Sequence, residues 1–244
     1  MRRSVLLWLF SVAVPIVASA IALWTAPRWL VPRLPERFPG CLYAVETSTP
    51  AIALTIDDGP DARTTPELLR TLREHRARAT FFLISGNVTH NDSLVAAMSN
   101  EGHEIANHLT RDEPSIRLSL RAFDSALTAA GRTLSRFGSV RWARPGGGRY
   151  NQRMVATMQQ RGYRCALGSV YPYDAEIPSA RFSSAFVLAH ARPGAIVVLH
   201  DGGARGNRTA ETLGRVLPEL HRRGFDVVTL SELSRLASRN LRTN

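Results

Sequence analysis

The chain contains no lysine: all 31 of its basic residues are arginine, against 20 acidic ones, for a formal net charge of +11. The arginines are scattered and no aromatic-basic stripe accompanies them, which argues against a nucleic-acid surface. Uniform arginine use reads as codon bias rather than a selected patch, and attraction to anionic envelope polymers or lipid headgroups is the weaker alternative. Cysteine is scarce. Cys41 and Cys165 are far apart and neither stands in a CxxC spacing, so neither reads as part of a cysteine metal site. A disulfide between them is allowed outside the cytoplasm, but sequence does not set their distance. Internal repeats and low-complexity tracts are absent.

Charge is missing altogether from Ser4 to Pro27, where "SVLLWLFSVAVPIVASAIALW" is long enough to cross a hydrocarbon core needing about 20 residues. Arg2 and Arg3 ahead of it favour a cytoplasmic N-terminus and export of the rest of the chain. Residues 1–27 therefore read as a single-pass membrane anchor, with Trp24 and Trp29 at the far interface and the rest of the chain extracytoplasmic. The small residues "ASA" at 18–20 leave open a cleaved signal peptide and a secreted domain. Residues 28–48 carry three prolines and little periodicity and read as a linker, followed by a domain over 49–238 and a short tail.

Within the domain, strand and helix patterns alternate. "AIALTI" (51–56) is a strand, and Thr65 with Pro66 opens the helix of "PELLRTLREHRA". "ATFFLI" (79–84) is a second strand, after which Asp92 caps "SLVAAMSNE". "HEIANH" precedes a helix capped by Ser119, and "VRWAR" (140–144) precedes the helix "QRMVATMQQR". "YRCALGSV", the helix "SSAFVLAHA", the strand "AIVVLH" (195–200), the helix "AETLGRVLPELHRR" and a last strand "FDVVTL" complete the pattern. Such alternation implies a parallel sheet covered by helices, open or closed into a barrel.

The conspicuous polar residues follow strands: Asp57 and Asp58, His108, Arg144, Asp174, His200 and Asp201. Carboxyl ends of parallel strands converge on one face, the usual place for a site. Taken singly, each has an ordinary alternative. The turn "DDGP" could be solvated, Asp112 could brace its loop, His200 could be a satisfied core histidine, and Arg144 could lie on the surface. Two adjacent carboxylates, if buried, need a cation or a shared proton. His108 and Asp112 offer nitrogen and oxygen donors suited to a divalent ion.

"TIDDGP", "GHEIANHLTRDEPS", "RPGGGRYN", "VYPYDA" and "IVVLHD" resemble, in order, the five motifs of the polysaccharide deacetylases, the NodB-homology carbohydrate esterases of family 4, over residues 49–235. The resemblance implies a distorted (β/α) barrel of about seven parallel strands and a metal-dependent hydrolase that deacetylates N-acetylated sugars. By position, Asp57 corresponds to the general base and His200 to the general acid. Arg144 would hold the base and Asp174 would orient the acid. Asp58, His108 and Asp112 fall on the metal ligands, and Gly147 on the residue whose backbone N–H binds the oxyanion.

Three departures stand out: Asp112 replaces the second metal histidine, Ala175 replaces a tryptophan, and "RPGGG" replaces a proline-aromatic turn. The last two would remake the substrate pocket, where Tyr171 and Tyr173 either stack on a sugar or pack internally. The family implies zinc; two carboxylates against one imidazole would shift preference towards manganese, iron or cobalt. The expected substrate is peptidoglycan, a chitin-like oligomer or an exopolysaccharide. The alternatives are deacylation or deformylation of a lipid-linked sugar, and a non-catalytic glycan-binding domain.

Overall fold

The computed structural model describes residues 29–240, together with 14–15, 18–19, 21–22 and 24–25. Most of the expected membrane span lies outside the described residues, among which no helix is long and apolar enough to cross a membrane. Trp24, expected at an interface, packs edge-on against Phe182, Phe186 and His190, with ring centroids 5.3–5.8 Å apart.

In chain order the elements are α1 (Leu34–Arg37), β1 (Cys41–Leu42), β2 (Ala51–Asp57), α2 (Thr65–Glu74), β3 (Thr80–Leu83), α3 (Asp92–Asn100), β4 (Glu104–Asn107), α4 (Leu120–Leu134) and β5 (Trp142–Ala143). Then come α5 (Gln152–Gln160), β6 (Arg164–Ala166), α6 (Ala180–His190), β7 (Ile196–His200), α7 (Gly203–Arg222), β8 (Asp226–Val228) and α8 (Leu230–Asn240). The named strands all pair in parallel, in the order β1-β6-β5-β4-β3-β2-β7, with β8 also on β2. The sheet curls until the chain beyond β6 meets β7: Val198 N–H donates to the Val170 carbonyl at 2.9 Å.

Every residue of β2 is buried, as expected of a parallel strand covered on both faces. Its Leu54 and Ile56 join Leu68 and Leu72 of α2, Phe81 of β3 and Leu213 and Leu217 of α7 in the main core. Helix starts are set by side chains: Ser119, Asn151 and Ser179 accept from the N–H groups of Ala122, Met154 and Phe182.

Several local expectations change. Thr65 starts α2, but its hydroxyl accepts from Asp61 N–H and donates to Asp201. Asp92 opens α3 without acting as its side-chain cap. α7 begins at Gly203, seven residues ahead of Ala210, so a glycine- and arginine-rich stretch is helical. Beyond β8, α8 is capped reciprocally: Thr229 N–H donates to Glu232, and Glu232 N–H donates back to the Thr229 hydroxyl. The stretch 28–48, read as a linker, carries α1 and places β1 on the sheet edge, where Cys41 stands opposite Cys165 in a disulfide.

Candidate active site

Register brings the chemistry together. Asp57, the last residue of β2, is the Cα partner of His200, the last residue of β7, and of Phe82 on β3. His108 follows β4 and is held through its N–H on the Leu83 carbonyl, while Arg144 follows β5 and donates its N–H to the Asn107 carbonyl. The carboxyl edge of the curled sheet thus carries Asp57, Asp58, His108, Arg144 and His200 around one groove of about 830 Å³.

Arg144 is buried and fully employed. Its Nη1 donates to Asp57 Oδ1 and, at 3.0 Å, to the Thr55 hydroxyl; Nε donates to the Ala166 carbonyl and Nη2 to that of Leu167. The guanidinium also lies 4.0 Å over the Phe82 ring. Burying an ion pair is costly unless its remaining polar atoms are satisfied, and these contacts satisfy them. One carboxylate oxygen of Asp57 is therefore fixed on Arg144, and Oδ2 is turned towards His108.

Asp58 adopts φ 75°, a left-handed conformation that aspartate tolerates better than most residues. Its N–H donates to Phe82 and its carbonyl accepts from Asn87, which holds the turn in place. Asp201, fully buried, braces the start of α2 just beyond this turn by accepting from Thr64 and Thr65. Burial raises the pKa of Asp201, and these hydrogen bonds only partly offset that rise.

The His108 ring fixes its own tautomer. Nδ1 donates to the Arg144 carbonyl at 2.8 Å, so Nε2 faces Asp58 at 3.5 Å and Asp57 at 4.0 Å. A lone pair turned on two carboxylates is unfavourable unless a proton or a cation lies among them. Burial pulls the imidazole down, yet the charges of Asp57 and Asp58 outweigh it and raise its pKa. For Asp58, burial acts upwards, and His108, His200 and Arg205 carry its pKa below the ordinary value. Asp58 and His108 thus offer an oxygen and a nitrogen donor close enough to share one divalent ion.

The third expected ligand does not join them. Asp112 is largely exposed, and Arg205 stands between it and Asp58, with Nη1 3.0 Å from Asp58 Oδ2 and Nη2 3.5 Å from Asp112 Oδ2. Among the described residues, no three His, Cys, Asp or Glu side chains gather into a metal site. Arg205 lies in the first turn of α7, ahead of the helix that the sequence pattern marks from Ala210.

His200 is braced by Asp174, which is buried and accepts the backbone N–H of His200 at 3.0 Å while both its oxygens lie 3.0 Å from Nδ1. Burial lowers the pKa of this imidazole, but the hydrogen bond and charge of Asp174, then Asp57 and Asp58, push it up to about 9. Tyr171 lines the groove, edge-on to His200 at 5.7 Å, with its hydroxyl on Glu176. Burial and Glu176 raise its pKa, so it remains a neutral donor. Tyr173 packs towards the core against Phe186 and is not among the groove residues. Gly147, at φ 65° in the loop that follows β5, lines the groove. Leu34, Phe38 and Tyr43, within the stretch read as a linker, supply a further wall, and the Tyr43 and Tyr150 hydroxyls meet at 2.6 Å.

A curled parallel α/β sheet with a carboxylate and a carboxylate-braced imidazole at its carboxyl edge defines an α/β half-barrel with a candidate base and acid at its strand ends. The family model for polysaccharide deacetylase matches residues 44–166, and the chain belongs to that family. A peptidoglycan-N-acetylglucosamine deacetylase of Bacillus cereus is 35% identical over 79% of this chain and 92% of its own length. A chitooligosaccharide deacetylase of a Bradyrhizobium species is 36% identical, over 78% of this chain and 94% of its own. The crystal structure of a peptidoglycan N-acetylglucosamine deacetylase with a benzamide ligand superposes with a TM-score of 0.77 at 25% identity, covering 85% of this chain and 98% of that one.

Proposed function

We propose that the protein is a metal-dependent hydrolase that removes N-acetyl groups from an N-acetylated glycan, peptidoglycan or a chitin-like oligomer. The observation that carries this is the pairing of Asp57 with His200 across adjacent strands, each locked by its own counter-charge, Arg144 and Asp174. Names borne by the relatives above support the substrate class.

In this reading Oδ2 of Asp57 takes a proton from the attacking water, while Arg144 keeps the carboxylate ionised and aimed. The new C–O bond puts negative charge on the former carbonyl oxygen, which the Gly147 N–H would stabilise. His200 then donates its Nε2 proton to the amide nitrogen as the C–N bond breaks, giving acetate and a free sugar amine. A divalent ion, held by Asp58 and His108, would polarise the carbonyl and make the water more acidic. With Asp112 engaged by Arg205, the donor pair is one carboxylate and one imidazole, which favours zinc at least as well as harder ions.

The apolar N-terminal run is proposed to hold this domain at the outer face of the cell membrane, and the Cys41–Cys165 disulfide supports an oxidising compartment. A second reading, deacylation of a lipid-linked sugar, draws on Phe38 and Ile116, exposed apolar side chains that line the groove.

The deciding experiment measures acetate released from N-acetylglucosamine oligomers and from cell-wall glycan by the native chain, Asp57→Asn and His200→Ala. Release by the native chain that both substitutions abolish supports the proposal. Release only from a lipid-linked sugar favours the second reading, and none from any acylated glycan removes the catalytic assignment.

A further inference from the structure

We infer that Arg205 is a cation built into the site, and that a divalent ion must displace it from Asp58 in order to bind. The inference rests on the metal site proposed above and concerns a residue with no part in the acid–base pair.

The argument begins with what α7 places over the groove. The helix starts at Gly203, so Arg205 projects from its first turn next to the strand ends. Its guanidinium divides itself between two carboxylates: Nη1 to Asp58 Oδ2 at 3.0 Å, Nη2 to Asp112 Oδ2 at 3.5 Å. Asp58 is buried and Asp112 is exposed, so the arginine bridges from the interior of the site to its rim. It lines both the main groove and a neighbouring polar cavity of about 400 Å³ shared with Asp61, Asn87 and Asn91.

Electrostatics explains why something positive belongs there. Asp57 is neutralised by Arg144, and His108 faces both acidic residues, which leaves Asp58 as the carboxylate with the greatest need of a counter-charge. A guanidinium meets that need by hydrogen bonding, but it also places a positive charge where a metal ion would be held. The two cations repel, and both require the same carboxylate. Arg205 is one-third exposed on a long flexible stem, so it can swing away from Asp58 without disturbing the fold. On this account Asp112 serves as the anchor that keeps Arg205 in place, which gives the aspartate at that position a role other than ligation.

The test is calorimetric titration of the full chain, stripped with a chelator, with zinc alone and with manganese alone. Arg205→Gln should bind metal about tenfold more tightly than the native chain, the size expected when a close competing charge is removed. Arg205→Lys, which retains the charge without the two-pronged reach, should fall between them. Arg215→Gln, on the exposed face of the same helix, should match the native chain. Thermal melting without metal confirms that each variant is folded. Equal affinities for the native chain and Arg205→Gln overturn the inference while leaving the metal site intact. Absence of binding by both overturns the inference and the metal-dependent reading together.

Discussion

Asp57 and His200 are neighbours by backbone register: they pair as the last residues of adjacent parallel strands, so two side chains distant in sequence are placed by main-chain hydrogen bonds. Asp57→Asn preserves the hydrogen bonds around Arg144 and removes only the basic oxygen. It should lower kcat by about 10²- to 10⁴-fold with little change in melting temperature. Arg144→Ala is a different case. It leaves Asp57 buried without its partner and should destabilise the fold by about 3–5 kcal/mol, read from denaturant midpoints.

The pH profile should carry the signature of His200. With its pKa pushed up to about 9, the imidazole is protonated and able to act as an acid throughout the neutral range, so the alkaline limb of kcat/KM should lie near pH 9. Asp174→Asn removes the main raising influence and should bring that limb down by more than one pH unit. Stability follows the same sign. A raised imidazole pKa stabilises the fold fully below its ordinary value of 6.5, and that contribution disappears as pH climbs to about 9. Melting temperatures across this window should decline in the native chain and flatten in Asp174→Asn; identical profiles would rule out the Asp174 pairing as their cause.

The strand ends are legible because buried parallel strands read as apolar runs, and the polar residues that come after them have few places to go but the carboxyl edge. Arg205 is not legible for the converse reason. "GGARGNRT" is polar and glycine-rich, without an apolar stripe to mark the first two turns of α7. Helix α8 does carry a local signal, the capping pair Thr229 and Glu232 ahead of Leu233, although the alternation of strands and helices alone stops at β8. The groove wall built by Leu34, Phe38 and Tyr43 depends on long-range contacts, among them Tyr43 with Tyr150, which no local pattern encodes. Asp112 lies at the rim of the groove, but the position of a neighbouring arginine decides what it touches.

Metal affinity should separate the three residues that sequence groups together. Asp58→Asn and His108→Ala each remove a converging donor, and each should weaken zinc binding by at least about 100-fold. Asp112→Asn should not weaken it and should tighten it by up to about threefold, because that exposed carboxylate holds the competing Arg205 rather than the metal. Metal content after dialysis, measured by mass spectrometry, checks all three. A loss in Asp112→Asn equal to that in Asp58→Asn would establish Asp112 as a ligand.

The disulfide should matter to the groove as well as to the fold. Cys41 and Cys165 are 124 residues apart in sequence, and closing a loop of that length contributes about 5 kcal/mol in the chain-entropy model. Cys41 sits on β1, between the groove wall residues Phe38 and Tyr43, while Cys165 lies on β6 just before Leu167, whose carbonyl accepts from Arg144. Reduction, or Cys41→Ser with Cys165→Ser, therefore frees a two-residue edge strand from its covalent tie and leaves it to the Leu167 N–H on the Leu42 carbonyl and the Tyr43–Tyr150 hydroxyl contact. The melting temperature should drop by about 10 °C or more, since about 1 kcal/mol corresponds to roughly 2–4 °C in a chain of this size. Below the melting range, KM for a glycan oligomer should rise several-fold as the wall loosens, while kcat should fall much less, because Asp57 and His200 stay fixed by β2 and β7. Steady-state kinetics of the oxidised and reduced chain separate these effects; an unchanged KM in folded, reduced protein would show that the N-terminal wall takes no part in holding substrate.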